Sequence, residues 1–139
     1  MLPELMLLGF AAWTLVLLVT TVGAYRLSRV FRGRAGMGDF PADRIEGKDW
    51  YVRAMRAHAN CIENLPLFTV VVFALYAAGI ESPAADAMAA VALGARVVQS
   101  LVHISTVQTD RVVTVRFTFF FIQLLCFIGI AGVVVAASG

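Results

Sequence analysis

Residues Leu5 to Ala24 read LMLLGFAAWTLVLLVTTVGA, twenty consecutive residues without a charge. Coiled as an α-helix with a rise of about 1.5 Å per residue, the run is about 30 Å long, the thickness of a bilayer's hydrocarbon core. It predicts a membrane-spanning helix. A cleaved signal peptide carries basic residues ahead of a shorter apolar core. Here Glu4 precedes the run, and Arg26 and Arg29 follow it. That order fits a signal-anchor helix over about residues 5–30.

The rest of the chain agrees with this reading. Of its 139 residues, 60% are hydrophobic and 14% charged, against about 45–50% and about 25% in soluble domains. Too few polar side chains remain to coat a soluble globule, and disordered, collagenous, coiled-coil and disulfide-scaffold classes are excluded on the same grounds. Leu65 to Gly79 is an apolar run of fifteen residues, too short to span alone. It continues backward without a helix breaker, which predicts one long helix over about 48–79. Pro66 lies inside that helix, and a proline kink in a membrane helix requires neighbours or water to satisfy the freed carbonyl. Ser82-Pro83 supplies an N-cap and a first-turn proline for a third helix over about 83–105. A fourth, rich in Phe and Val, covers about 112–137. The expected architecture is all-α, a single four-helix transmembrane domain over residues 1–139, arranged as an antiparallel bundle.

Charge sets the orientation. From Tyr25 to Arg56 there are eight Lys or Arg against four Asp or Glu, and Arg111 and Arg116 lie around the connection between helices three and four. The turn after helix two has no basic residue. The positive-inside bias predicts both termini on the non-cytoplasmic side and both basic connections in the cytoplasm. A basic stretch beside a span also attracts anionic lipid. No aromatic and basic stripe suggests nucleic acid, so none is expected as a partner.

Ionisable groups inside spans are costly and are functional candidates by default. On a wheel of 100° per residue, Arg53, Arg56, Asn60 and Glu63 share an arc of about 80° of helix two, while Arg96, Gln99 and His103 share about 60° of helix three. Counted inward from the outer turns, Glu63 and Gln99 lie roughly 24 Å deep and Arg96 roughly 20 Å. The groups therefore share one layer in the cytoplasmic third, shallower than the midplane site of a small four-helix transporter. Arginines with Asn, Gln and one carboxylate suit a polyanionic, amine-bearing small molecule. Glu63 and Arg96 are also expected to form a structural ion pair between helices. Arg26, Arg29 and Arg53 could equally snorkel to the interface. Arg116 places a cation at the mouth of an apolar groove; Phe117, Phe119, Phe120 and Phe121 are expected mostly to face lipid or pack, with one or two lining a substrate groove.

Other features read as structure. The glycines of GRAGMG, Gly33 to Gly38, have no preceding strand and no closing Lys-Ser/Thr, so they form a connection and not a phosphate loop. His58 and Cys61 lack further ligands, and no metal is expected. Cys61 and Cys126 are expected as free buried thiols. Trp50-Tyr51 suggests an interfacial aromatic anchor.

At Arg53 to Phe68 the sequence is RAMRAHANCIENLPLF. This resembles the signature of the membrane-associated proteins in eicosanoid and glutathione metabolism, the MAPEG family, in which an Arg-Ala-His-x-Asn-x-x-Glu core opens the second helix. The likeness extends over the whole chain through the four spans, the basic first connection, an arginine in helix three and one at the start of helix four. It implies a homotrimer with glutathione as co-substrate at each subunit interface, near the cytosol, and a lipophilic substrate arriving from membrane lipid. By position, Arg26, Arg56, Asn60, Glu63, Gln99 and His103 would bind glutathione, and Arg96 would partner Glu63. Arg116 would be the catalytic residue that stabilises the thiolate, and Phe120 would line the substrate groove. Several members have tyrosine where this chain has His103, and a small polar residue where it has Phe117.

A free thiol near pKa 8.5 is a few per cent ionised at neutral pH. About 2.7 kcal/mol of preferential thiolate stabilisation would make the anion the majority form, and an arginine in a poorly hydrated cleft can supply it. The implied function is a membrane glutathione transferase or peroxidase acting on lipophilic electrophiles. The alternative is a non-catalytic lipid-binding membrane scaffold of the same fold. In a bacterium the location would be the inner membrane.

Overall fold

The computed structural model describes residues 2–40 and 45–139. Among them run four helices, each long and apolar enough to cross a membrane: α1, Leu2–Phe31; α2, Asp49–Ala77; α3, Pro83–Ser105; and α4, Asp110–Ser138. A single 3₁₀ turn, Met37–Asp39, interrupts the first connection, and no strand occurs among the described residues. The short links after α2 and α3 make consecutive helices antiparallel neighbours. α2 and α3 are the inner pair, with α1 and α4 each packed against both of them.

Local chemistry sets the helix ends. Ser82 accepts a hydrogen bond from the Ala85 amide at 3.4 Å, with Pro83 in the first turn, as the sequence predicts. α4 starts at Asp110, two residues before the expected Val112, because Thr109 caps it through the Val112 amide at 3.3 Å. α2 ends at Ala77, and Gly79, with a φ of +64°, opens a left-handed turn beyond it. The amides of Gly79 and Ile80 then satisfy the carbonyls of Tyr76 and Leu75. α2 runs unbroken through Pro66.

The main departure from a regular bundle lies in α1, where Leu18–Gly23 forms a π-helical turn. Here the amide of Ala24 reaches back to Val19, and the hydroxyls of Thr20 and Thr21 bond the carbonyls of Val16 and Leu17. These hydroxyls compete with main-chain amides for the same acceptors, which loosens the regular ladder. The extra residue amounts to about 100° of rotation. Phe10, Thr14 and Leu17 are buried in helical phase, and the next position in that phase would be Thr21. The buried residue is Val22 instead, followed by Tyr25. Arg26, which an uninterrupted helix would aim away from its neighbours, is thereby turned toward α2.

Aromatic rings and small residues make the core. Phe68 of α2 packs between Phe10 of α1 and Phe127 of α4, with centroids 5.6 and 5.2 Å away. Ala85, Ala89 and Ala92 form a fully buried small-residue stripe on α3 that lets its backbone approach the neighbouring helices. Cys61 and Cys126 are free and buried.

Candidate functional site

The two polar stripes predicted from the sequence exist, but they face in opposite directions. On α3, Arg96, Gln99 and His103 are all buried. On α2, Arg56 and Glu63 are exposed on the outer surface of the bundle, and Arg53 and Asn60 are half-buried at its edge. The helices meet by opposite use of the same pattern.

At the end of the bundle nearest the basic connections, α2, α3 and α4 converge. Arg53 donates through Nε to the carbonyl of Ile104 at 3.1 Å, which fixes it against the last turn of α3. The guanidiniums of Arg116, Arg56 and Arg53 all lie within electrostatic range of His103, and Arg56 lies within range of Arg116. Arg116 sits at the start of the inward face of α4, the face that continues as Phe120, Gln123, Phe127 and Ile130. Two polar atoms of this cluster, Nδ1 of His103 and Nε of Arg116, are buried without a hydrogen-bond partner. A group that accepts hydrogen bonds from a cation and carries negative charge fits such a cluster.

Behind it lies a network that sequence reasoning missed. Gln99 donates through Nε2 to the carbonyl of Arg116 at 3.0 Å. Gln123, completely buried, donates through its own Nε2 to Gln99 Oε1 at 3.0 Å and to the Phe119 carbonyl at 2.9 Å. This latch ties α3 to the first turns of α4 and fixes the backbone that carries Arg116. The signal was present in the sequence: Gln123 is a lone amide in the apolar run FFFIQLLCF, seven residues beyond Arg116 and so on the same helix face.

Other expected residues fall elsewhere. Arg26 donates to the Tyr51 hydroxyl at 2.8 Å, contacts Met55 Sδ at 3.9 Å and lies over the Phe40 ring at 5.4 Å. Tyr51 and Met55 flank one edge of the outward face of α2 and Arg53 flanks the other, so Arg26 stands across that face from His103 and Arg116. Its contacts are specific; it does not simply snorkel. Tyr51 itself departs from the expected interfacial anchor, since it is buried and stacked on Tyr25 with centroids 4.1 Å apart, while Trp50 remains exposed. Phe120 is half-buried and packs at 6.4 Å from exposed Phe117, which in turn stacks on Phe121.

The expected ion pair between Glu63 and Arg96 is not made within the chain. Arg96 is 1% exposed, with its guanidinium 5.4 Å over the ring of Phe10 and its Nε and Nη2 lacking hydrogen-bond partners. Cys61 and Ser100 lie beside it, with Cys61 Sγ 3.6 Å from Ser100 Oγ. Glu63 acts on Arg96 only at a distance. The reason is geometric. Glu63 follows the outward arc of α2, whereas Arg96 follows the inward arc of α3, so helical phase separates their heads.

The fold and this layer define a four-span helical membrane protein with a cationic cluster near one end. The sequence profile of the MAPEG family matches residues 5–136, nearly the whole chain, and the protein belongs to that family. It is an integral, multi-pass membrane protein of the family concerned with glutathione and eicosanoid metabolism. Comparisons with curated proteins and with solved structures gave no match.

Proposed function

We propose that this protein is a glutathione transferase or peroxidase that works on lipophilic electrophiles, as a homotrimer with glutathione bound between neighbouring subunits. One observation carries the reading: the Arg56 and Arg116 guanidiniums lie within electrostatic range of His103, and His103 Nδ1 and Arg116 Nε are buried without partners. Glutathione has two carboxylates, an ammonium and a thiol. Its carboxylates match guanidinium forks, and Glu63 matches its ammonium.

The outward position of Arg56 and Glu63 supports a shared site. Charged side chains on the surface of a spanning helix are unfavourable against acyl chains, and a second copy packed on this face would cover them. In this reading Arg26 and Arg56, across the outward face of α2, hold carboxylates, with Asn60 adding an amide. Gln99 serves by fixing the Arg116 backbone, and His103 closes the layer from α3. Bound glutathione supplies a nucleophilic sulfur. Arg116 holds that sulfur as the anion, and the half-buried Phe120 lies one turn further into the bilayer, where an apolar substrate would rest. The positive-inside bias puts this end of the bundle in the cytosol and both termini outside.

Titration of the purified protein with glutathione, followed by ultraviolet thiolate absorbance, tests the proposal. Saturable thiolate formation that Arg116→Ala abolishes and His58→Ala preserves is the expected result. Absence of glutathione binding at millimolar concentration would leave a non-catalytic lipid-binding scaffold.

A further inference from the structure

A second cationic feature lies outside this cluster. α1 ends at Phe31 with Arg32 as its C-cap, and Gly33, at φ +62°, turns the chain back on itself. The Gly33 amide bonds the Val30 carbonyl and the Arg34 amide bonds the Arg29 carbonyl, both at 2.9 Å. These bonds occupy carbonyls at the negative end of the helix and bring Arg34 back over the last turn, beside Arg29. The result is a crevice of about 390 Å³ walled by Arg29, Arg32, Arg34 and Lys48, with Tyr25 and Trp50 at its base and rim. Among the described residues no carboxylate lines it. Asp39 and Glu46 line a smaller neighbouring hollow, on the far side of Arg29 and Arg34.

Some of the aromatic contacts here are preset. Arg29 lies 5.6 Å over the ring of Tyr25 and donates to its hydroxyl at 3.4 Å. Trp50 meets Tyr25 edge-on at 5.4 Å. Phe31, next to Arg32 on the last turn of α1, is exposed by 83%, while Leu27 lies on another face with Arg26, Met37 and Phe40. Four cations are thus gathered at the end of a spanning helix, next to the exposed ring of Phe31.

We propose that this crevice binds the phosphodiester headgroup of an anionic membrane lipid, with an acyl chain lying along Phe31. A phosphodiester is recognised by any of these cations. The exposed Phe31 ring next to Arg32 and the exposed Trp50 favour a lipid over a free phosphate ion, because a small anion would leave those apolar surfaces unused. An exposed tryptophan at headgroup depth fits the same position. The site is independent of the glutathione reading, since it shares none of the residues of the Arg56, His103 and Arg116 cluster.

The test reconstitutes the full chain in phosphatidylcholine bilayers doped with dibrominated phosphatidylglycerol or dibrominated phosphatidylcholine, and follows quenching of tryptophan fluorescence. Trp13, deep in α1, senses both lipids alike, whereas Trp50 reports the crevice. Phosphatidylglycerol is expected to quench one component at about tenfold lower mole fraction than phosphatidylcholine, a preference lost in Arg32→Gln with Lys48→Gln and reduced by salt. Arg34→Gln with Arg32→Gln provides a second variant, should the first alter folding. Equal quenching by the two lipids would overturn the proposal, as would a preference that survives both double variants. Loss of the preference on adding millimolar inorganic phosphate would overturn it too, by showing a site for the free anion.

Discussion

The polar stripes of α2 and α3 look alike when drawn on a helical wheel, yet the fold uses them in contrary ways. Along α3, Arg96, Gln99 and His103 are sealed in the bundle, where Gln99 is held by Arg116 and Gln123 while Arg96 and His103 keep polar atoms without partners. Along α2, Arg56 and Glu63 are left on the outside. The inward stripe builds a support, the Gln123–Gln99–Arg116 latch. The outward stripe offers charge to whatever packs there. Stability should therefore follow the inner stripe, and ligand binding the outer one.

Arg116 belongs to both, since the inner latch fixes its backbone while its guanidinium reaches the Arg56 and His103 cluster. Its replacement by alanine should have the largest effect, lowering glutathione thiolate formation by one to two orders of magnitude in the ultraviolet titration. Retained thiolate would remove Arg116 from the chemistry. Next comes Gln123→Leu, which leaves Gln99 Oε1 without its donor inside the bundle. We expect a loss of about 1–3 kcal/mol in thermal or denaturant unfolding in detergent, accompanied by weaker thiolate formation as Arg116 loosens. An unaltered unfolding transition would show the latch to be incidental.

Arg56→Gln should separate the stripes, because it leaves the melting temperature unchanged and weakens glutathione binding about tenfold in calorimetric titration. A destabilised variant with normal affinity would reverse our assignment of the outer face. The smallest effect is expected for Glu63→Gln. With no ion pair to Arg96 inside the chain, the melting temperature of dissociated protomers in detergent should not move. A clear drop would mean that the two charges pair after all, since stripping a buried cation of its partner is strongly destabilising.

Much of this is legible in the amino-acid sequence. Apolar runs, extended where no helix breaker stops them, give four spans, the Ser82-Pro83 cap gives the start of α3, and wheel geometry gathers each polar stripe on its own helix. Tyr51 was misread as an interfacial anchor because nothing in the Trp50-Tyr51 pair reveals that Tyr25 stacks on it from another helix. Gln123 was overlooked because a single amide in an apolar run has no local partner, and its bonds to Gln99 and Phe119 arise only when α3 and α4 meet. The turn of Arg26 toward α2 depended on the π-helical segment at Leu18–Gly23. The threonines there hint at it, but hydropathy, which does not change across the segment, is silent.

The sequence by itself determined which segments enter the bilayer and which arc of each helix is polar, because both follow from side-chain transfer energies and the 3.6-residue period. Only the tertiary structure decided which polar arc turns inward, and it set Glu63 apart from Arg96 while gathering Arg53, Arg56 and Arg116 around His103. Helical period fixes a residue's direction relative to its own axis. The rotation of that axis in the bundle is set by packing against the other three helices, through contacts such as Phe10, Phe68 and Phe127 that lie far apart along the chain.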